Sequence, residues 1–196
     1  MLSPLMKTSA VIAAFAISAF GVFDARATSV LPLDLDQMVA GAERIAHVRC
    51  TGNAVQPDAT VGAVTVTTFV VLDRAKGVVG STLTVRQPGG EAGGLTIDYH
   101  VPKFTVGDEY VLFMPASSKL GLASPVGLAQ GAFGVVQGPS GKEVGNGRDF
   151  AQLLSAADPA SVPAGISARL QLVPAQRARV DLTYFMTLIR AKGGPK

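Results

Sequence analysis

GAVTVTTFVVLDRAKG, residues 62–77, is the stretch on which the fold class turns. Seven of the eight residues from Val64 to Val71 are β-branched, the eighth being Phe69. Such side chains lose rotamer freedom in a helix and pack well on a pleated surface. The run ends at Lys76-Gly77, a turn signal, so it is expected to form one long strand. A strand of that length in a small sheet must coil, which favours a barrel or a sandwich.

Working outward, STLTVRQPGG (residues 81–90) alternates Leu83 and Val85 with Thr82, Thr84 and Arg86 and stops at Pro88 and Gly89, as expected of a half-exposed strand. On the other side, LPLDLDQMVAGAERIAHVRCTGNAV (residues 31–55) opens as a helix. Asp34 or Asp36 caps it, and Leu35, Met38, Val39 and Ala42 fall on one face. Past Glu43 the period becomes two. Ala46, Val48 and Cys50 then form the better core face, opposite Ile45, His47 and Arg49. LTIDYHV (95–101) is expected to be a short strand ended by Pro102. Tyr110 to Met114, after a turn over 106–109, reads as a strand covered on both faces. Two apolar pieces around Pro139 to Lys142 suit a hairpin.

After Gly147 the pattern turns helical, with Asp149 as a cap. Residues 157–178, which hold Pro159, Pro163 and Pro174, read as a linker. VDLTYFMTLIRA (180–191) places Leu182, Phe185, Met186 and Ile189 on one helical face, with Asp181 and Arg190 at the ends that suit the helix dipole. The expected fold is therefore mainly β, a small OB-like barrel or sandwich with a short N-terminal helix and C-terminal helices. The barrel is preferred because of the long strand at 62–74. The expected division is a signal peptide over 1–27, a β-barrel-like domain over 28–147, and a helical C-terminal extension with its Pro-rich linker over 148–196.

The signal is read from Lys7, an apolar run of 14 residues from Ala10 to Phe23, and the small residues Ala25 and Ala27 around Arg26. A membrane span needs about 20 residues, so cleavage after Ala27 and export of a soluble protein are expected, without stable membrane insertion afterwards. Cys50 lies far from that position, and one cysteine cannot form an intrachain disulfide, so the core alone must hold the fold. Removal of 1–27 takes away Lys7, Arg26 and Asp24. The formal charge falls from +3 to +2, too small a surplus for nucleic acid, and RLQLVPAQRARV (169–180) adds no aromatic residue for stacking.

Two glycine-rich segments invite a phosphate reading and fail it. RQPGGEAGGL (86–95) leads into a strand rather than a helix and places Glu91 where a phosphate would be repelled, so a flexible hairpin loop is expected. GPSGKE (138–143) has Val136 and Glu143 where a P-loop needs glycine and a hydroxyl. No cofactor is expected. Asp98 and His100, two apart, would share a face of a strand, yet no third ligand is visible for a metal. His47 and Cys50, three apart, would face opposite ways. No nucleophile-elbow or zinc-protease motif occurs, and Cys50 beside Ala46 and Val48 reads as a small core residue.

The order helix, ERIAHVRC, VTVTTFVVLDRAKG, STLTV, FTVGDEYVLFM resembles the netrin-like OB domain, through Lys76-Gly77, Gly107 and the strand from Tyr110 to Phe113, over about 70 residues. That resemblance implies a barrel. Netrin-like metalloproteinase inhibitors work through cysteines this chain lacks apart from Cys50, so their activity is not implied. Most of the chain also resembles exported bacterial proteins that combine a GG-E-x-GG loop (here Gly89 to Gly94), an F-x-x-G-[DE]-x-x-[VL]-L-F strand (Phe104 to Phe113) and a G-L-A-Q-G-x-F segment (Gly127 to Phe133). It implies an address and no activity.

The functional expectation is a non-catalytic binding module whose partner is an envelope or secreted protein. Its ligand-binding residues are placed in two loops, Gly89, Gly90, Glu91, Gly93 and Gly94 in one and Gln130 in the other, because small barrels bind through their loops. The alternatives are a hydrolase or metal-dependent enzyme built on His100 and Asp98, and an envelope structural protein.

Overall fold

A computed structural model describes residues 31–154 and 179–193 of the chain. The signal segment at 1–27 and the linker at 157–178 lie outside the described residues. Helix α1 (Leu35–Gly41) starts at Asp34, whose carboxylate accepts from Gln37 N at 2.7 Å while the Gln37 side chain accepts from Asp34 N at 3.0 Å. This reciprocal pairing satisfies two backbone donors that a helix start leaves free. Leu35, Met38, Val39 and Ala42 are buried as their spacing predicted.

Two strands of 15 residues follow, β1 (Arg44–Asp58) and β2 (Gly62–Lys76), joined by a turn in which Asp58 Oδ1 accepts from Thr60 N and Val61 N. The outer half of β1, TGNAVQPD, has no apolar alternation, and its strand state comes from pairing with β2. Next come β3 (Thr82–Pro88), β4 (Gly90–Ala92), β5 (Leu95–Ile97), β6 (Glu109–Met114), a short 3-10 turn (Leu128–Gly131), β7 (Ala132–Gly138), β8 (Gly141–Gly145), α2 (Phe150–Leu154), β9 (Val180–Asp181) and α3 (Leu182–Gly193).

Seven strands make one antiparallel sheet in the order β3-β2-β1-β6-β7-β8-β9, and β4 and β5 form a second, two-stranded sheet. The mainly-β expectation holds in its sandwich form rather than as a closed barrel. The edges are β3 and β9, and β9, two residues long, offers too little ladder for closure. Bulges at Ala75 and Leu72 of β2 and at Thr51 of β1 bend the two long strands and increase their twist.

Alternation along β6 shows how both faces are filled. Val111 and Phe113 join a core with α1, α2 and α3, where Phe133 stacks at 5.4 Å from Phe113 and 4.9 Å from Phe185. Leu112 and Met114 face the other way, into a second core with Ala46, Val48, Cys50, Phe69, Leu83 and Val85. Ile45 and His47, assigned to the exposed side by the period-two reading, are buried beside Ala46 and Val48, because β1 is covered on both faces here. Asp181 caps α3 by accepting from Tyr184 N at 2.8 Å, and β9 pairs with β8. The segment read as a C-terminal extension thus adds a strand and a helix to the same core as α1.

Cys50 is 1% exposed, and burial, the main cause, pushes its thiol up from the ordinary range. A neutral, enclosed thiol is a poor nucleophile. Native protein should therefore resist alkylation by iodoacetamide, with reaction only on adding denaturant. Stoichiometric labelling under native conditions would show this packing to be wrong.

Candidate functional site

Each face of the sheet is apolar near its centre and polar towards one end. On the helix-covered face the polar end is ionic. Glu109 opens β6 directly across from Arg49 of β1. Its carboxylate accepts from His47 Nε2 at 2.8 Å, Arg49 Nη2 at 2.7 Å and Lys142 Nζ at 2.7 and 2.9 Å. Burial pushes the pKa of this carboxyl up, but donation from Lys142, Arg49 and His47 outweighs it and the pKa falls to about 2. Both oxygens are saturated by the protein itself, so this cluster braces β1, β6 and β8.

On the other face the polar end is open. Beyond Phe69 the inward positions of β2 are Thr67 and Thr65. Beyond Leu83 and Val85 the inward position of β3 is Gln87, which pairs with Thr65. Across the ladder, Asn53 of β1 stands opposite Thr67. The β4–β5 hairpin and residues 98–104 cover this floor and leave a cavity of about 320 Å³. Thr67 and Gln87 are only 1% and 2% exposed. The Gln87 amide nitrogen, Nε2, is buried without a hydrogen-bond partner. Glu91, Thr96, Asp98, Tyr99 and Lys103 form the exposed mouth. Phe104 closes one side by edge-on packing against Phe69, with centroids 5.1 Å apart, and its carbonyl accepts from Asn53 Nδ2 at 2.7 Å.

The glycines build this roof. Gly93 and Gly94 occupy the two-residue turn of the hairpin with φ of +60° and +78°, the left-handed pair that a primed turn requires. A Cβ at Gly90 would stand 2.7 Å from Val55 Cγ1 and 2.9 Å from Thr65 Oγ1, and one at Gly89 would stand 2.7 Å from the Ile97 carbonyl oxygen. The segment is therefore an ordered hairpin held close against β1 and β2. Its glycines serve backbone conformation and close approach where the sequence suggested flexibility.

Of the residues singled out by sequence, Gly89, Gly90, Glu91 and Asp98 line the cavity, and Gly93 and Gly94 form the hairpin tip above it. Gln130 lies elsewhere. Its Oε1 accepts from Leu33 N at 2.8 Å and Arg148 Nη1 at 3.0 Å, tying α1's entrance to the segment after β8. Asp98 and His100 are not on a strand, because β5 ends at Ile97. Asp98 Oδ1 accepts from His100 N at 2.7 Å in a turn that puts His100 at φ +56°, and His100 does not line the cavity. That backbone bond and the Lys103 cation hold the Asp98 carboxyl below its usual range. Among the described residues, no group of three or more His, Cys, Asp or Glu side chains is placed to hold a metal.

Gln87, Asn53 and Thr67 were not anticipated. Gln87 alone left a trace, since it continues the inward series Leu83, Val85 with a polar residue. Nothing flags Glu109, whose partners lie 33, 60 and 62 positions away.

No family model, curated protein or solved structure matches this chain. Among the described residues, no helix is long and apolar enough to cross a membrane.

Proposed function

We propose that this chain is an exported binding module that holds a small ligand in the cavity under the β4–β5 hairpin. The observation that carries the reading is a cavity of about 320 Å³ with buried Gln87 and Thr67 in its floor and Glu91, Thr96, Asp98, Tyr99 and Lys103 at its mouth. The volume sits at the low end of the roughly 300–1,000 Å³ usual for small-ligand pockets.

Binding rather than catalysis is supported by what lines the interior. Gln87 and Thr67 are its buried polar residues, and an amide and a hydroxyl orient a ligand without exchanging protons with it at neutral pH. Export is supported by Lys7, the apolar run from Ala10 to Phe23 and the Ala25-Arg26-Ala27 site, and by the resemblance to exported bacterial proteins. An OB-like ancestry for the sheet belongs to the same proposal, supported by the two long, bulged strands β1 and β2.

Native mass spectrometry tests the binding reading. Protein incubated with envelope extract should retain a small-molecule mass increment that is absent from Thr96→Trp, in which a large ring fills the exposed mouth of the cavity. A bare mass for both proteins, or an increment indifferent to Thr96→Trp, would overturn it.

A further inference from the structure

We infer that the β4–β5 hairpin is a gate, which lifts as one piece to admit a ligand to the cavity beneath it. This deepens the binding reading above and rests on it for what enters. Residues 90–97 pair only with each other, Gly90 with Ile97, Glu91 with Thr96 and Ala92 with Leu95. Among the described residues, no hydrogen bond runs from this segment to the seven-stranded sheet. The bonds that fasten it lie just outside its two ends. On the entry side Gly89 N donates to Ala63 O at 2.8 Å, and Gly89 O accepts from Thr65 Oγ1 at 2.8 Å. On the exit side the Tyr99 hydroxyl donates to Val61 O at 3.4 Å.

A two-stranded hairpin gains little stability from its own ladder, so the closed position depends on side-chain packing. That packing is thin. Gly90 rests on Val55, which is itself 41% exposed, and on Thr65, while Ile97 rests on Gly62. Both legs pass through backbone suited to a pivot. Gly89 and Gly90 stand at φ +99° and +134° on the entry side, and His100 stands at φ +56° on the exit side, in a turn closed by donation from its N–H to Asp98 Oδ1. Hinges of this kind absorb a rotation at a few positions beside an intact element. The floor gives the motion its purpose. Thr67 and Gln87 are 1% and 2% exposed, so the closed cover keeps a ligand off them and a lifted roof admits one.

The test introduces Thr67→Cys into the full chain, expressed for export and purified, with iodoacetamide as the probe. Peptide mass spectrometry separates the thiol at position 67 from Cys50. Under native conditions the new thiol should react at least about tenfold faster than Cys50 and well below the rate of a free thiol, and low urea should hardly change its rate, because lifting one hairpin exposes little surface. Gly90→Ala should raise that rate about tenfold, since its methyl would meet Val55 Cγ1 at 2.7 Å and push the roof off its seat. Equal rates and equal urea dependence at both thiols would mean that the floor opens only by global unfolding, and a free-thiol rate would mean that nothing covers it. Either result overturns the gate, as does a rate indifferent to Gly90→Ala. Methyl relaxation dispersion reads the same motion in the unaltered chain. Ile97 and Val55 should show microsecond-to-millisecond exchange that Leu83 and Val85 lack, and flat profiles there would also overturn the gate. An immobile roof leaves the mass increment to decide binding, whereas a moving roof without an increment keeps the motion and overturns the binding reading.

Discussion

Glu109→Gln should cost the folded protein up to about 3 kcal/mol at neutral pH and close to nothing near pH 2. The substitution leaves His47, Arg49 and Lys142 gathered around a group that no longer carries charge, and uncompensated charges at a largely buried position are expensive. The pH dependence follows from linkage. The carboxyl has a folded pKa of about 2 against an ordinary 4.5. Because the folded value is depressed, the stabilisation is fully present above about 4.5 and fades as pH falls towards 2. A shift of that size corresponds to about 3 kcal/mol. Glu109 is 12% exposed, but Arg49 and Lys142 are 47% and 43% exposed, so solvent screening brings the cost below that ceiling. Urea denaturation of both proteins from pH 7 to pH 2 measures it. The wild-type advantage should narrow through that acid window, and an advantage that stayed constant with pH would refute the ionic account.

Gln87→Met should act in the opposite direction and raise stability by about 1–2 kcal/mol. Methionine matches glutamine in length and flexibility and replaces an unpaired amide with a thioether and methyl group that have no hydrogen bond to lose. Most substitutions at a buried position destabilise, so a gain here would mark the Gln87 amide as unpaired in the folded protein. The reading is the urea midpoint at unchanged m value. A loss of more than about 1 kcal/mol would mean that the amide is already paired within the protein.

Much of the fold was legible because local sequence and global structure agree. The capping box at Asp34, the α1 stripe, the alternation of Leu83 and Val85, the doubly covered β6 and the buried face of α3 all depend on spacing within one element. The outer half of β1 was not legible. Its residues are small and polar, and their strand state comes from the β2 ladder rather than from their own preference. The turn at 98–100 was hidden for a related reason. Asp98 bonds the His100 backbone and diverts a stretch that reads as a strand by composition.

The site divides the same way. The sequence by itself determined that residues 89–94 form a glycine-rich connection leading into a strand, that Cys50 belongs to the core, and that the chain is mainly β. Those properties follow from residue type, short-range spacing and the conformations glycine permits. Only the tertiary structure decided that the connection is a roof, that Gln130 is committed to Leu33 and Arg148, and that Gln87 is part of a cavity floor. It also brought His47, Arg49 and Lys142 onto Glu109. The physical reason is that a hydrogen bond, made or missing, depends on which atoms meet across strands far apart in sequence. Periodicity fixes which way a side chain points along its own strand and is silent about what waits there.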